Sequence, residues 1–177
     1  MKKKVIAIIL FLCVVALILF NFSWTKKIDI TLQGTQFQLG TNEEGFQTEV
    51  KLNGTIKKSW FRIKSFQGTI DIEGETTPTE KYEKQITISF DNDGEGHMVY
   101  DYWENGTPYL MQYGVLFVDK DMRRLVIIPY YTSDGARTNG WSGEDGRLIV
   151  APAMDRQDGL NIANELMTKF TKYHDLK

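Results

Sequence analysis

Val115-Leu116-Phe117-Val118-Asp119-Lys120-Asp121-Met122-Arg123-Arg124-Leu125-Val126-Ile127-Ile128 is the stretch on which the fold turns. Two apolar runs flank a polar connection that opens with the turn Asp119-Lys120-Asp121-Met122. Runs this short, bounded by turn residues, read as the two strands of a hairpin. Neither run alternates. A strand with one face in water alternates apolar and polar side chains, whereas one that does not is covered on both faces. Something must therefore lie on the outer side of this hairpin.

The covering element is the soluble helix that follows. Asp155 or Asp158 caps it, and the pattern predicts a helix running to about Tyr173. Leu160, Ala163, Leu166, Met167 and Phe170 recur at helical spacing and form one apolar stripe. The stripe is expected to dock on the hairpin. His174 then falls near the helix C-terminus as a surface residue.

Upstream, the runs do alternate. Ile28-Asp29-Ile30-Thr31-Leu32 and Gln85-Ile86-Thr87-Ile88-Ser89-Phe90 have period 2, and Phe46–Lys57 and Trp60–Glu73 are longer runs of the same kind. In the last of these Phe61, Ile63, Ile70 and Ile72 are the expected inward positions. A short pattern recurs as Leu32-Gln33-Gly34-Thr35, Leu52-Asn53-Gly54-Thr55 and Phe66-Gln67-Gly68-Thr69. Its spacing is not constant, so it is no solenoid repeat. A glycine inside a strand marks a bulge or a tight bend, and three in neighbouring strands would curl a sheet towards a barrel or a strongly coiled sandwich; chance recurrence of common residues has equal weight. The expected fold is mainly β. It is an antiparallel sheet of about seven or eight strands, barrel-like or sandwiched, closed by one C-terminal helix. Strands followed by a terminal helix resemble the outline of lipocalin-like and pleckstrin-homology-like domains. The local signature of neither is present, and no residue roles are carried over.

Residues 1–27 form a separate unit. Three lysines precede an unbroken apolar run, and the 18 residues from Val5 to Phe22 carry no charge. As a helix they span about 27 Å, close to the roughly 30 Å hydrocarbon core of a bilayer. Trp24 falls where an aromatic side chain prefers the headgroup layer. The bulky residues after Phe20 do not suit a signal peptidase, so a retained anchor is expected rather than a cleaved leader. Cys13 lies mid-run after Phe11 and Leu12, which excludes a lipoprotein reading. Three flanking lysines before the span against two after it place the N-terminus inside and residues 28–177 outside. The expectation is a single-pass cell-membrane protein with one extracytoplasmic domain. The MKKK start and the cysteine-free exported domain fit a bacterial, Gram-positive habit.

The chain carries 21 basic and 23 acidic residues, but five of the basic ones and none of the acidic ones lie before Ile28. The domain therefore holds 16 basic against 23 acidic residues, a net charge of −7. Such a domain does not suit nucleic acid, whose affinity comes from neutralised phosphates. The domain contains no cysteine, which excludes disulfides and thiolate metal sites.

Asp91-Asn92-Asp93-Gly94-Glu95-Gly96-His97 places oxygens at alternate positions, as a calcium loop does, with Asp91, Asp93 and Glu95 as the candidate ligands. Position 12 of an EF-hand count is Tyr102 rather than glutamate. The same residues suit a hairpin turn, which is the preferred reading. Gly140-Trp141-Ser142-Gly143-Glu144 approaches a nucleophile elbow, but Glu144 occupies the second glycine position and a strand follows. No catalytic residue and no cofactor is expected.

The connection Ser133–Gly146 is long and glycine-rich and carries Arg137 and Trp141. Long loops of this kind are functional or mobile. Trp103, Tyr102 and Tyr109 form a second aromatic group around the turn Glu104-Asn105-Gly106. If both turns share one end of the sheet, Trp141, Arg137, Trp103 and Tyr109 line one groove for a protein, peptide or glycan. Trp141 also reads as a lid folded back on the core, and that reading is slightly preferred. The functional expectation is a non-catalytic binding module beside the membrane; the alternative is a surface hydrolase acting on a wall or extracellular substrate.

Overall fold

The alternating runs become strands. β1 spans Trp24–Gln38, β2 Phe46–Lys58, β3 Ile63–Ile72, β4 Ile86–Ser89, β5 Glu95–Glu104, β6 Thr107–Val118, β7 Leu125–Pro129 and β8 Arg147–Ala151. The computed structural model describes residues 22–77, 85–130, 140–172 and 174–177, together with Lys4, Ile6, Leu10 and Phe11. The apolar run from Val5 lies mostly outside these, and among the described residues no helix is long and apolar enough to cross a membrane.

The strands form one sheet in the order β4-β3-β2-β1-β8-β7-β6-β5. Every pairing is antiparallel. β8 returns to β1 through Thr35–Gln38. The outermost strands, β4 and β5, are consecutive in the chain and meet at a bridge between Phe90 and Gly96. The result is a nearly closed eight-stranded sheet in up-and-down order, a barrel-like architecture.

The recurrent glycines explain the curvature. Gly54 sits opposite Gly68 in the β2–β3 register. A Cβ on Gly54 would lie 2.2 Å from the Gln67 carbonyl oxygen, and one on Gly68 would lie 2.1 Å from that of Asn53. At Gly34 it would meet the Val150 carbonyl oxygen at 2.4 Å. Backbones approach this closely only where the sheet folds sharply, and only glycine leaves the room.

Two apolar layers result. Inside the barrel lie Val50, Leu52, Ile56, Phe66, Ile70, Ile72, Ile86, Ile88, Leu116 and Ile127, all fully buried. Outside, the alternate residues Val115, Phe117, Val126, Ile128, Leu148 and Val150 make a second layer with Leu160, Ala163 and Met167. Leu160 and Ala163 belong to the helix α1, Arg156–Leu166, and Met167 is its C-cap. The non-alternating hairpin is thus β6–β7, covered on its outer side by the helix as expected.

Asp155 is the N-cap and accepts from the Asp158 amide at 2.8 Å. The helix stops at Leu166, short of the expected Tyr173. The Thr168 hydroxyl bonds back to the Asn164 carbonyl at 2.5 Å, and the Asn164 side chain accepts from the Leu176 amide at 2.7 Å. Those bonds turn the chain back along the barrel wall. Phe61 also departs from expectation: it sits on the β2–β3 turn and is 63% exposed.

Candidate functional site

In an up-and-down barrel the connections alternate between two ends. The β1–β2, β3–β4, β5–β6 and β7–β8 connections share one end, called here the mouth. The start of β1 and the β2–β3, β4–β5 and β6–β7 turns share the other, the base.

A polar cluster sits in the mouth. Arg147 occupies an inward position on β8, two residues before Ile149 of the interior. Its guanidinium donates to both Glu75 oxygens, Nη1 to Oε1 at 2.5 Å and Nη2 to Oε2 at 2.9 Å. The Glu75 side chain is 1% exposed. The Tyr113 hydroxyl donates to Glu75 Oε2 at 3.1 Å. With its amide oriented to satisfy both neighbours, Gln36 donates to Glu75 Oε1 at 3.1 Å and accepts from Arg147 Nη1 at 2.7 Å. A bidentate pair closed by two further hydrogen bonds meets the condition under which a buried charge is tolerated.

Tyr113 reaches this cluster because the β5–β6 register slips there. Met98 pairs with Gly114 and Val99 with Gln112, leaving Tyr113 as the extra residue of a bulge. Burial pushes its phenol pKa far above the usual range, and the adjacent Glu75 carboxylate adds to the rise.

A hairpin rises above the cluster. β7 ends at Pro129, opposite Gly114, while β5 and β6 continue to pair as far as Glu104 and Thr107. The turn is Asn105-Gly106, with φ of 51° and 80°. Positive φ at both central residues is the two-residue turn that matches strand twist. Opposed residues share a face, so Tyr102 and Tyr109 stack with centroids 5.5 Å apart, continuing outward from Tyr100 and Tyr113. The opposite face carries Trp103, Pro108 and Leu110. Trp103 is 66% exposed and Leu110 77%.

Of the residues singled out from the sequence, Trp103 and Tyr109 lie together on this hairpin. Trp141 is half-buried on the outer wall: its indole donates to the Arg147 carbonyl at 3.1 Å and packs against Phe170. Arg137 lies outside the described residues. At the base, Asp91 accepts from the amides of Asp93 and Glu95 at 2.8 and 3.0 Å, and Asp93 pairs with Lys169. Glu95 is held above the usual carboxylate range, by burial first and then by Asp91. Among the described residues no three metal-binding side chains are grouped to hold an ion. Phe22 and Trp24 lie at the base, Trp24 as the first residue of β1 and half-buried, while Val5 lies outside the described residues.

The mouth cluster escaped sequence reasoning. Arg147 had one usable signal, a charge at the inward parity of a strand whose later positions are Ile149 and Ala151. Glu75 had none, because it sits in the aperiodic Gly74-Glu75-Thr76-Thr77 turn. No protein-family model matches the chain, and neither a curated protein nor a solved structure does.

Proposed function

We propose that this chain is a single-pass, membrane-anchored protein whose barrel stands outside the cell as a non-catalytic binding domain, taking its partner at the mouth. The observation that carries the reading is the β5–β6 hairpin, which extends beyond the barrel and exposes Trp103, Tyr109 and Leu110. Solvated apolar side chains clustered at one end of a domain are characteristic of interaction surfaces, and aromatic residues contribute most of the energy there. The stacked Tyr102–Tyr109 pair offers a planar platform suited to a peptide or a glycan. The Glu75–Arg147 pair beneath it binds both carboxylate oxygens to the guanidinium, which suits a fixed polar floor rather than proton transfer.

The anchor rests on the sequence: the uncharged run to Phe22, its lysine flanks and the bulky residues that follow. Photocrosslinking on intact cells from a reporter at Tyr109 tests the partner reading. A specific crosslinked neighbour is expected, and it should disappear in Trp103→Ala with unfolding stability changed by less than about 0.5 kcal/mol. Trp141→Ala, by contrast, should lower stability by about 3 kcal/mol, as loss of a packed aromatic does. Crosslinks that survive Trp103→Ala would remove the hairpin from the binding surface.

A further inference from the structure

The base of the barrel carries a second exposed aromatic group, and it is unlike the mouth. Phe22, Trp60 and Phe61 are 54%, 61% and 63% exposed. Trp24 joins them, with its ring 5.2 Å from Trp60 and 6.0 Å from Phe22. The two segments that supply these rings are adjacent in space because Trp24 pairs with Lys58 and Thr25 with Lys57. Residues 22–27 and 57–64 contain Lys26, Lys27, Lys57, Lys58, Arg62 and Lys64, and no acidic residue. The nearby acidic turns are largely neutralised within the protein. Lys58 pairs with Asp121, Lys169 with Asp93, and Arg124 lies 3.7 Å from Asp119, while Asp91 is taken up by its own turn.

We propose that this basal rim is a docking surface for the headgroup layer of an anionic bilayer. The inference rests on the anchored reading of the N-terminal run and adds an orientation to it. Three features of the chain point to this occupant. Only Asn21, Phe22 and Ser23 separate the end of the apolar run at Phe20 from β1, and three or four residue steps reach at most about 14 Å. A barrel tethered that closely cannot swing away; its base stays within the headgroup region. Tryptophan prefers that layer, and phenylalanine beside lysines accompanies it in segments that lie at the interface. With Lys58 taken up by Asp121, the rim still carries a net positive charge from Lys26, Lys27, Lys57, Arg62 and Lys64. That charge matches the negative surface potential of anionic lipid, although the domain as a whole is acidic. The acidic residues Glu43, Glu44, Glu73, Glu144 and Asp145 lie on the connections of the mouth, at the far end. Docking by the base therefore turns the mouth outward.

The test uses the full chain in vesicles of phosphatidylcholine with or without phosphatidylglycerol, with brominated acyl chains as quenchers. Trp60's share of the signal is the difference between the wild-type chain and Trp60→Phe. Alkaline carbonate extraction reports the anchor separately. The expected result is Trp60 quenching that requires phosphatidylglycerol and is lost in Lys57→Glu/Lys64→Glu, a variant that should still melt as wild type does. Retention after carbonate with Trp60 unquenched, or quenched equally on both lipids, overturns the docking surface and leaves the anchor standing. Release by carbonate with Trp60 quenched only on anionic vesicles supports the surface and removes the anchor.

Discussion

Among the described residues, Tyr113 is one whose ionisation is tightly bound to the fold. Its hydroxyl is buried and donates to Glu75, so the phenolate is disfavoured in the folded state and its pKa lies above the ordinary 10.0. A group whose folded pKa is raised contributes stability that is fully present below its unfolded pKa and is lost as pH rises through the window between the two. Stability should therefore fall above about pH 10 as the unfolded phenol ionises. Tyr113→Phe should lower stability at neutral pH by about 1 kcal/mol, one hydrogen bond, and flatten the alkaline decline. Denaturant unfolding at neutral and alkaline pH measures both; the decline keeps a remnant because burial also raises Tyr130. An undiminished alkaline slope in Tyr113→Phe would place the ionisation elsewhere. None of this was legible in the sequence, since Tyr113 turns inward only through a one-residue register slip. Phe61 failed for a related reason: the run Trp60–Glu73 contains the end of a turn, and alternation counted through it assigns the wrong face.

At the scale of elements the sequence was more informative, because periodicity is a property of elements. The unbroken apolar character of Val115–Val118 and Leu125–Ile128 demanded cover on two faces, and the interior and α1 provide it. The glycine pattern was legible as a curl but not as to which strands it joins. The structure shows Gly54 and Gly68 directly opposed, with no space for a side chain on either. Gly54→Ala should cost at least about 2 kcal/mol, since the obstructing Gln67 carbonyl belongs to the paired backbone and cannot rotate away. Gly143→Ala meets only the Leu176 and Trp141 side chains at 3.5 and 3.9 Å and should change stability by less than about 0.5 kcal/mol. Thermal unfolding of the two variants measures the contrast, and equal melting would mean that the sheet is less tightly coiled at Gly54 than described.

Over the whole molecule the charges and aromatic rings are sorted by end. Sequence alone assigns a net charge of −7 to the domain and suggests repulsion from an anionic surface; topology shows that the basic residues of 22–27 and 57–64 converge on the base. These segments lie far apart in the chain, and only the β1–β2 register joins them, so no linear reading finds the rim. The same sorting puts Trp103 and Tyr109 at the opposite end, where the proposed partner would meet them. The central claim is this orientation, base on the membrane and mouth outward. Labelling of intact cells with a membrane-impermeant maleimide tests it most directly, using Trp103→Cys and Trp60→Cys in a Cys13→Ser chain. The account predicts rapid labelling of Trp103→Cys on intact cells, and labelling of Trp60→Cys that becomes rapid only after detergent dissolves the membrane. Equal rates at both positions on intact cells, or labelling of Trp103→Cys only after lysis, would contradict it.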